Sequence, residues 1–366
     1  PLITQSVELM LVQLSTMGFV TYRFDKKQVV VKQKLIDYVL NSAGKKDYDV
    51  IAFHSDIKNE SNATLSLLNF DLKIRGVKNI LLSDSQQVMI FPKHGEITVK
   101  KNRDFDFAGV VRAGRFVFFG KEFDFQYNSF KVNLTNVDST MIFAETGEID
   151  QNNNPVIKPV KSVIENINGD LLIDNPFNKS GYKSFPEFPI FNSFKESYVY
   201  YDSRKIEGGV YHRDKFYFQL EPFTIDSLDN FTNKSLRFDG TFVSAGIFPE
   251  FDETLTLQAD HSLGFIRKTP PGGYQVYGGK GTFDNKIMLS NKGLKADGKL
   301  EYLTSTSYSK QFNLYPDSLN GIASEFDIKA QESGIEYPPV TGKDVMIRWY
   351  PKKDLMITQK IENAIV

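Results

Sequence analysis

The 366-residue sequence lacks cysteine and contains one tryptophan and four histidines. The absence of cysteine excludes disulfide bonds, thiolate metal sites and a cysteine nucleophile, but it does not identify the redox compartment. The histidines His54, His94, His212 and His261 are far apart in the chain, so a metal site would need ligands gathered from distant strands. On these grounds the sequence predicts no metal site, no cofactor and no catalytic residue.

A net charge of one sign and a long apolar run are also missing. The 44 basic and 45 acidic side chains leave a formal net charge of -1, which provides no field to attract nucleic acid. No segment approaches the roughly 18 consecutive apolar residues of a membrane-spanning helix, and no signal-peptide pattern follows Pro1. We therefore expect a soluble chain with no nucleic-acid partner and no transmembrane segment.

Two-residue alternation of apolar side chains is the dominant pattern that the sequence does contain. Phe283 and Ile287 stand at odd-numbered positions, whereas the apolar residues of 294–302 stand at even-numbered positions. Gly293 stands between them, where a tight turn needs a positive φ. The same alternation, interrupted by a turn, is present in 123–134. These patterns predict a mainly β fold, an extended antiparallel sheet built as a meander or sandwich of hairpins.

Helical periodicity is confined to the start of the chain. Apolar residues recur at helical spacing in 4–18 and again in about 33–41, and a hairpin pattern lies between them. A short strand is predicted at 50–53. This order of elements predicts a small α+β portion comprising residues 1–95.

Strand-like segments account for the remainder of the chain. We divide it into a β-hairpin region at 96–150 and an extended antiparallel β region at 151–366. The boundary is placed in 145–159, where polar residues and two prolines without a sustained period indicate a linker. Glycines followed by alternating apolar residues recur at irregular intervals, which is typical of a sheet that grows hairpin by hairpin.

Aromatic side chains are numerous, with 31 Phe and 17 Tyr, and we expect most of the phenylalanines to fill the core. Tyrosine combines a broad ring with a polar hydroxyl, so Tyr200, Tyr201 and Tyr211 are predicted as a possible ligand surface. Sugar-binding platforms use broad amphipathic rings, which these tyrosines supply, although the scarcity of tryptophan weakens that interpretation. An acidic cluster at 250–253 follows a proline and is predicted to lie in a solvated turn.

Several stretches of the sequence carry a family resemblance. They are KNRDFDFAGVVRAGRFVFFG at 101–120, NVDSTMIF at 136–143, NPFNKSG at 175–181, and GIFPEF and DHSLGF within 246–265. The chain resembles, over most of residues 10–320, large uncharacterised exported β-rich envelope proteins of Bacteroidota-type bacteria. The resemblance implies a location in the cell envelope or outside the cell, with other envelope proteins or other domains of the same chain as partners. It carries no catalytic residues.

We therefore expect a non-enzymatic structural or binding β module of a larger bacterial cell-envelope protein. One alternative is a carrier whose apolar β groove holds lipid or lipid-linked glycan. Another is a glycan-processing enzyme with paired carboxylates. A continuous exposed apolar groove would favour the carrier, and two facing carboxylates in a cleft, at the separation found in hydrolases, would favour the enzyme.

Overall fold

The protein is mainly β, as the sequence predicts, with 52% strand and 9% helix. The α-helices are α1 (Leu2–Thr16) and α2 (Gln33–Ser42), and short 3-10 helices lie at Glu207–Gly209, Asn233–Ser235 and Pro351–Lys353. None of the described helices is both long enough and apolar enough to cross a bilayer. The computed structural model describes residues 2–45, 47, 51–58, 60–330 and 339–361.

The strands form one separate hairpin and one large sheet. The hairpin consists of β1 (Val20–Arg23) and β2 (Gln28–Val31), which pair antiparallel. The strands of the large sheet are, in chain order, β3 (Ala63–Leu65), β4 (Leu72–Ile74), β5 (Ile80–Ser83), β6 (Val88–Val99), β7 (Phe105–Ala113), β8 (Phe116–Gln126), β9 (Lys131–Ile149), β10 (Pro155–Pro159), β11 (Ile164–Leu172), β12 (Ile190–Ser193), β13 (Ser197–Tyr200), β14 (Phe216–Leu220), β15 (Thr224–Ile225), β16 (Arg237–Ser244), β17 (Phe251–Leu257), β18 (Leu263–Lys268), β19 (Tyr274–Val276), β20 (Gly281–Ser290), β21 (Gly293–Tyr302), β22 (Ser305–Tyr315), β23 (Ser318–Ala323), β24 (Glu325–Ile328), β25 (Val340–Gly342), β26 (Val345–Tyr350) and β27 (Leu355–Lys360).

The described pairings of the large sheet are all antiparallel and form one continuous ladder. Strands β4 and β5 pair with β6, from which the ladder passes through β7, β8 and β9 to β11. The far edge of β11 is shared by β12 and β13, and the ladder continues through β14, β16, β17, β18, β20, β21 and β22. It then passes through β23 and β26 to β27. Neighbours in the ladder are mostly neighbours in sequence, as expected of a meander.

Aromatic side chains fill the inward face of this ladder. Phe118 on β8 contacts Phe191 on β12, with ring centroids 4.9 Å apart, and near the other end Trp349 lies 4.9 Å from Tyr302. One cluster of buried apolar side chains extends from Val77 to Trp349. Connections between the strands pack on the same cluster, as Phe231 does on Phe116 with ring centroids 5.5 Å apart. The burial of this apolar surface stabilises the fold.

Glycines mark the places where the ladder bulges. The pairing register shifts next to Gly109, Gly120, Gly169 and Gly298. A Cβ atom at Gly169 would lie 2.0 Å from the carbonyl oxygen of Asn192, far inside van der Waals contact. A bulge bends its strand and increases the local twist. Some of the glycines that recur in the sequence therefore lie where a strand bends.

Two predictions about local structure are wrong. The predicted linker at 145–159 is part of a hairpin, because β9 and β10 pair across it. Its prolines are tolerated because they begin and end β10, which has no other described partner strand to receive their missing N–H groups. The predicted strand at 50–53 is not formed by residues 51–53, and Val50 lies outside the described residues. Instead Ser55 forms an isolated bridge with Val77.

The sheet also continues across the two predicted domain boundaries. Strand β6 contains residues 95 and 96, and β9 pairs with both β10 and β11 across residue 150. Ahead of the sheet, α1, the β1–β2 hairpin and α2 form a small unit. The buried carboxylate of Asp37 in α2 lies 3.0 Å from the guanidinium of Arg103, an ion pair that joins this unit to the sheet.

Candidate ligand-binding site

The three tyrosines predicted as a ligand surface do not share one surface. Tyr201 and Tyr211 are fully buried, and their hydroxyls donate to the carbonyl oxygens of Leu263 at 3.1 Å and Leu314 at 2.8 Å. Burial raises the pKa of both hydroxyls because it removes water from the phenolate form. Only Tyr200 reaches the surface. Successive residues of an extended chain point to opposite faces, which separates Tyr200 from Tyr201.

Two other tyrosines accompany Tyr200 on the outer face of the sheet. Tyr198 stacks against Tyr200 with ring centroids 5.9 Å apart, and Tyr217 lies opposite Tyr200 on β14, 6.4 Å away. The guanidinium of Arg213 lies over the Tyr200 ring, 4.4 Å from its centroid. Tyr217 could have been predicted to face outward from the sequence, because it alternates with the apolar residues Phe216 and Phe218, which are buried. These rings form the tyrosine cluster, which consists of Tyr198, Tyr200 and Tyr217.

A cavity of about 670 Å³ opens beside Tyr200. It lies where four connections of the sheet converge, and these contribute Ser162 before β11, Asp202 after β13, Asp260 between β17 and β18, and Asn291 between β20 and β21. Connections held by a rigid sheet are the usual position of binding residues. We call this space the Tyr200 cavity.

Hydrogen bonds between three of these connections hold the floor of the Tyr200 cavity. The Ser162 hydroxyl donates to Asn291 Oδ1 at 3.3 Å and accepts from the backbone N–H of Leu263 at 2.9 Å. The Ser262 hydroxyl accepts from the backbone N–H of Asn291 at 2.9 Å and donates to the Asp260 carboxylate at 2.6 Å. Both serines are buried. The floor is therefore preorganised, which lowers the entropic cost of binding.

Two carboxylates of the cavity wall are arranged around Arg213. Its guanidinium lies 2.6 Å from the Asp202 carboxylate and 3.2 Å from the Glu165 carboxylate. The hydrogen bond to Asp202 is the main cause of a raised pKa for Arg213, which therefore stays charged. Partial burial raises the pKa of Tyr200, so its hydroxyl stays protonated at neutral pH. The wall thus offers both hydrogen-bond donors and acceptors.

A second polar cavity, of about 520 Å³, contains two facing carboxylates on β7 and β8, Asp106 and Asp124. The Lys100 ammonium lies 2.6 Å from Asp106 and 3.7 Å from Asp124. Burial raises the pKa of Asp106 in spite of Lys100. Glycoside hydrolases instead hold their carboxyl groups about 5 to 9.5 Å apart on either side of the scissile bond. A pair that shares one ammonium has the arrangement of a structural ion pair.

The acidic cluster at 250–253 is partly as predicted, because Glu250 and Asp252 are exposed, but Asp252 and Glu253 do not lie in a turn. Asp252 and Glu253 lie in β17, where Asp252 accepts a hydrogen bond from the Thr241 hydroxyl at 2.8 Å and Glu253 lies 3.4 Å from Arg267. Both carboxylates therefore stabilise the sheet surface.

The sequence did not reveal the turn residues that line the Tyr200 cavity. Turn residues show no periodic pattern of apolar side chains in the sequence, and these residues come together only when distant strands pair. Comparison with protein-family models, with curated proteins and with solved structures finds no match to this chain. The fold and the site define a mainly β protein with a polar, tyrosine-flanked cavity at the ends of its central strands.

Proposed function

We propose that the chain is a non-enzymatic binding module that holds a saccharide in the Tyr200 cavity. The observation that supports this most is the position of an outward-facing tyrosine cluster beside a preformed polar cavity. A tyrosine ring supplies a broad apolar face with a polar end, and a few fixed polar groups orient a ligand. The carboxylates held by Arg213 can accept hydrogen bonds from sugar hydroxyls.

The filled interior favours this function over that of a lipid carrier. Inward positions along the ladder are occupied by packed rings such as Phe118, Phe218 and Trp349, which have no exposed surface. An acyl chain would need apolar space of its own width on that face. Most of the side chains that line the Tyr200 cavity are polar or charged, which suits a hydrophilic ligand instead.

The engagement of the carboxylates favours binding over hydrolysis. Glu165 and Asp202 contact one guanidinium, and Asp106 and Asp124 share the ammonium of Lys100. A hydrolase places one carboxyl group on each side of the glycosidic bond, with separate roles as acid and base or nucleophile. Carboxylates that share a cation are better placed to accept hydrogen bonds than to divide these roles.

We further propose that this binding module belongs to a larger exported protein of the cell envelope. The sequence resemblance described above supports that location. The saccharide would then be one that is present at the cell surface, and other envelope proteins or other domains of the same chain would be protein partners.

Screening the protein against a saccharide array, followed by calorimetric titration, tests the proposed function. The wild type should bind at least one saccharide, and Tyr200→Ala should weaken that binding by about tenfold, the effect of losing one aromatic contact. Tyr308→Ala is the matched control, because Tyr308 is exposed on β22 and does not line the Tyr200 cavity.

The two variants distinguish saccharide binding in the Tyr200 cavity from non-specific adhesion of the saccharide to the protein surface. Equal loss of binding in Tyr200→Ala and Tyr308→Ala would contradict the site, and a wild type that binds no saccharide would contradict the function. Chromatography of the bound saccharide after prolonged incubation should show it unchanged. Cleaved products would contradict the non-enzymatic assignment.

A further inference from the structure

Three lysines around the Tyr200 cavity have no ion-pair partner among the described residues. Lys161 precedes β11, Lys205 lies in the connection after β13, and Lys292 lies in the β20–β21 turn. All three side chains are exposed, and each reaches the cavity from a different connection of the sheet. Many lysines of the sheet surface are paired instead, as Lys100 is with Asp106 at 2.6 Å.

The carboxylates that line the same cavity are already engaged. Glu165 and Asp202 contact Arg213, and Asp260 accepts hydrogen bonds from the hydroxyl of Ser262 at 2.6 Å and from its backbone N–H at 3.3 Å. An engaged carboxylate keeps lone pairs that can accept from a ligand hydroxyl. The three ammonium groups are exposed and have no carboxylate partner among the described residues, so they remain available to contact negative charge on a ligand in the cavity.

We infer that the saccharide bound in the Tyr200 cavity is acidic. Its carboxylate, sulfate or phosphate group contacts the three lysines, and its hydroxyls contact Glu165 and Asp202. This inference rests on the proposed function and names the ligand class of that same site. An inorganic anion would satisfy the lysines but would face carboxylates of its own sign. A neutral saccharide would satisfy the carboxylates but would leave the lysines unmatched.

The test uses an array of matched saccharides in which each uronate is paired with its neutral hexose counterpart and each sulfated sugar with its unsulfated form. It compares the wild type with a triple variant, Lys161→Gln, Lys205→Gln and Lys292→Gln. The control triple variant is Lys26→Gln, Lys310→Gln and Lys343→Gln, which removes the same charge from exposed lysines that do not line the cavity.

The wild type should prefer the acidic member of a pair by about tenfold or more, since three lysine contacts together contribute about that much. The cavity triple variant should lose this preference, and the control triple variant should keep it. The preference should also weaken as salt is raised, because the lysines are exposed.

Other outcomes overturn the inference in distinguishable ways. If acidic and neutral members bind equally and the cavity triple variant binds as well as the wild type, the acidic class is wrong while saccharide binding stands. If both triple variants lose the preference equally, general surface charge is the cause. If inorganic sulfate alone displaces the acidic saccharide at equal concentration, the cavity is a simple anion site. If the array shows no bound saccharide, the proposed function itself fails.

Discussion

At the scale of single residues, a buried carboxylate holds the long connection that follows β11. Asp174 has no exposed surface and accepts hydrogen bonds from the side-chain amides of Gln86 at 3.3 Å and Asn178 at 2.9 Å. It also accepts from the backbone N–H of Asn175 at 2.6 Å. Burial raises the pKa of Asp174, although these hydrogen bonds act in the opposite direction.

Removing this carboxylate should destabilise the protein. We expect Asp174→Ala to lower the free energy of unfolding by about 1–3 kcal/mol, because buried amides would lose their acceptor. Urea unfolding measures the change. The control is Asp214→Ala, an exposed position where a change within about 0.5 kcal/mol is expected. Equal effects at the two positions would contradict the role assigned to Asp174.

The raised pKa of Asp174 also predicts a pH dependence. An acid whose pKa is higher in the folded state stabilises the fold below its unfolded pKa, and this contribution is lost as pH rises through the folded pKa. Asp174→Asn cannot titrate. The wild type should therefore gain stability relative to Asp174→Asn as the pH is lowered from about 7 to about 4, measured by urea unfolding at each pH. A relative loss would mean that the folded pKa is lowered instead.

At the scale of the element, a glycine at which the backbones of two neighbouring strands approach closely is a sensitive position in the sheet. Gly169→Ala should cost about 2 kcal/mol or more, because the new Cβ would meet the carbonyl oxygen of Asn192 at 2.0 Å and the strand would have to shift. Gly278→Ala is the control. Gly278 has φ of 69° but open space around it, so only conformational strain of about 1–2 kcal/mol is expected. Thermal or urea unfolding compares the two, and a smaller cost at Gly169 would contradict the close approach of β11 and β12 at this position.

Elements whose signal is local could be predicted from the sequence. The hairpin at 283–302 is confirmed as β20 and β21, with Gly293 at φ 87°, and the helices predicted near the start are confirmed as α1 and α2. The linker prediction failed because an edge strand bounded by prolines shows no clear period. The helical periodicity of α1 was confirmed, yet Val7 and Met10 on its apolar stripe are exposed.

At the scale of the whole molecule, the order of the ladder and the position of the site could not be predicted. Alternation shows that a segment is a strand, but not which edge of β11 receives β13. The Tyr200 cavity depends on that order, because Lys161, Lys205 and Lys292 meet only after the central strands pair. The burial of Tyr201 and Tyr211 likewise depends on which face of the sheet becomes the interior.

The continuous core predicts that the large sheet unfolds as one unit. Trp349 is the single tryptophan and is buried near one end of the ladder, so its fluorescence reports that end. Far-ultraviolet circular dichroism reports the whole sheet. The two probes should give the same urea midpoint, because the buried cluster extends from Val77 to Trp349. Separate midpoints would show independent units, as in the division suggested by the sequence.

The most direct test of the central claim, that four connections of one sheet form a single binding site, is hydrogen exchange with and without a bound saccharide. Peptides that cover 160–163, 201–206, 259–262 and 290–293 should all exchange more slowly when the saccharide identified on the array is present, because each contributes to the Tyr200 cavity. Protection confined to other parts of the sheet, with no change in these four connections, would contradict the claim.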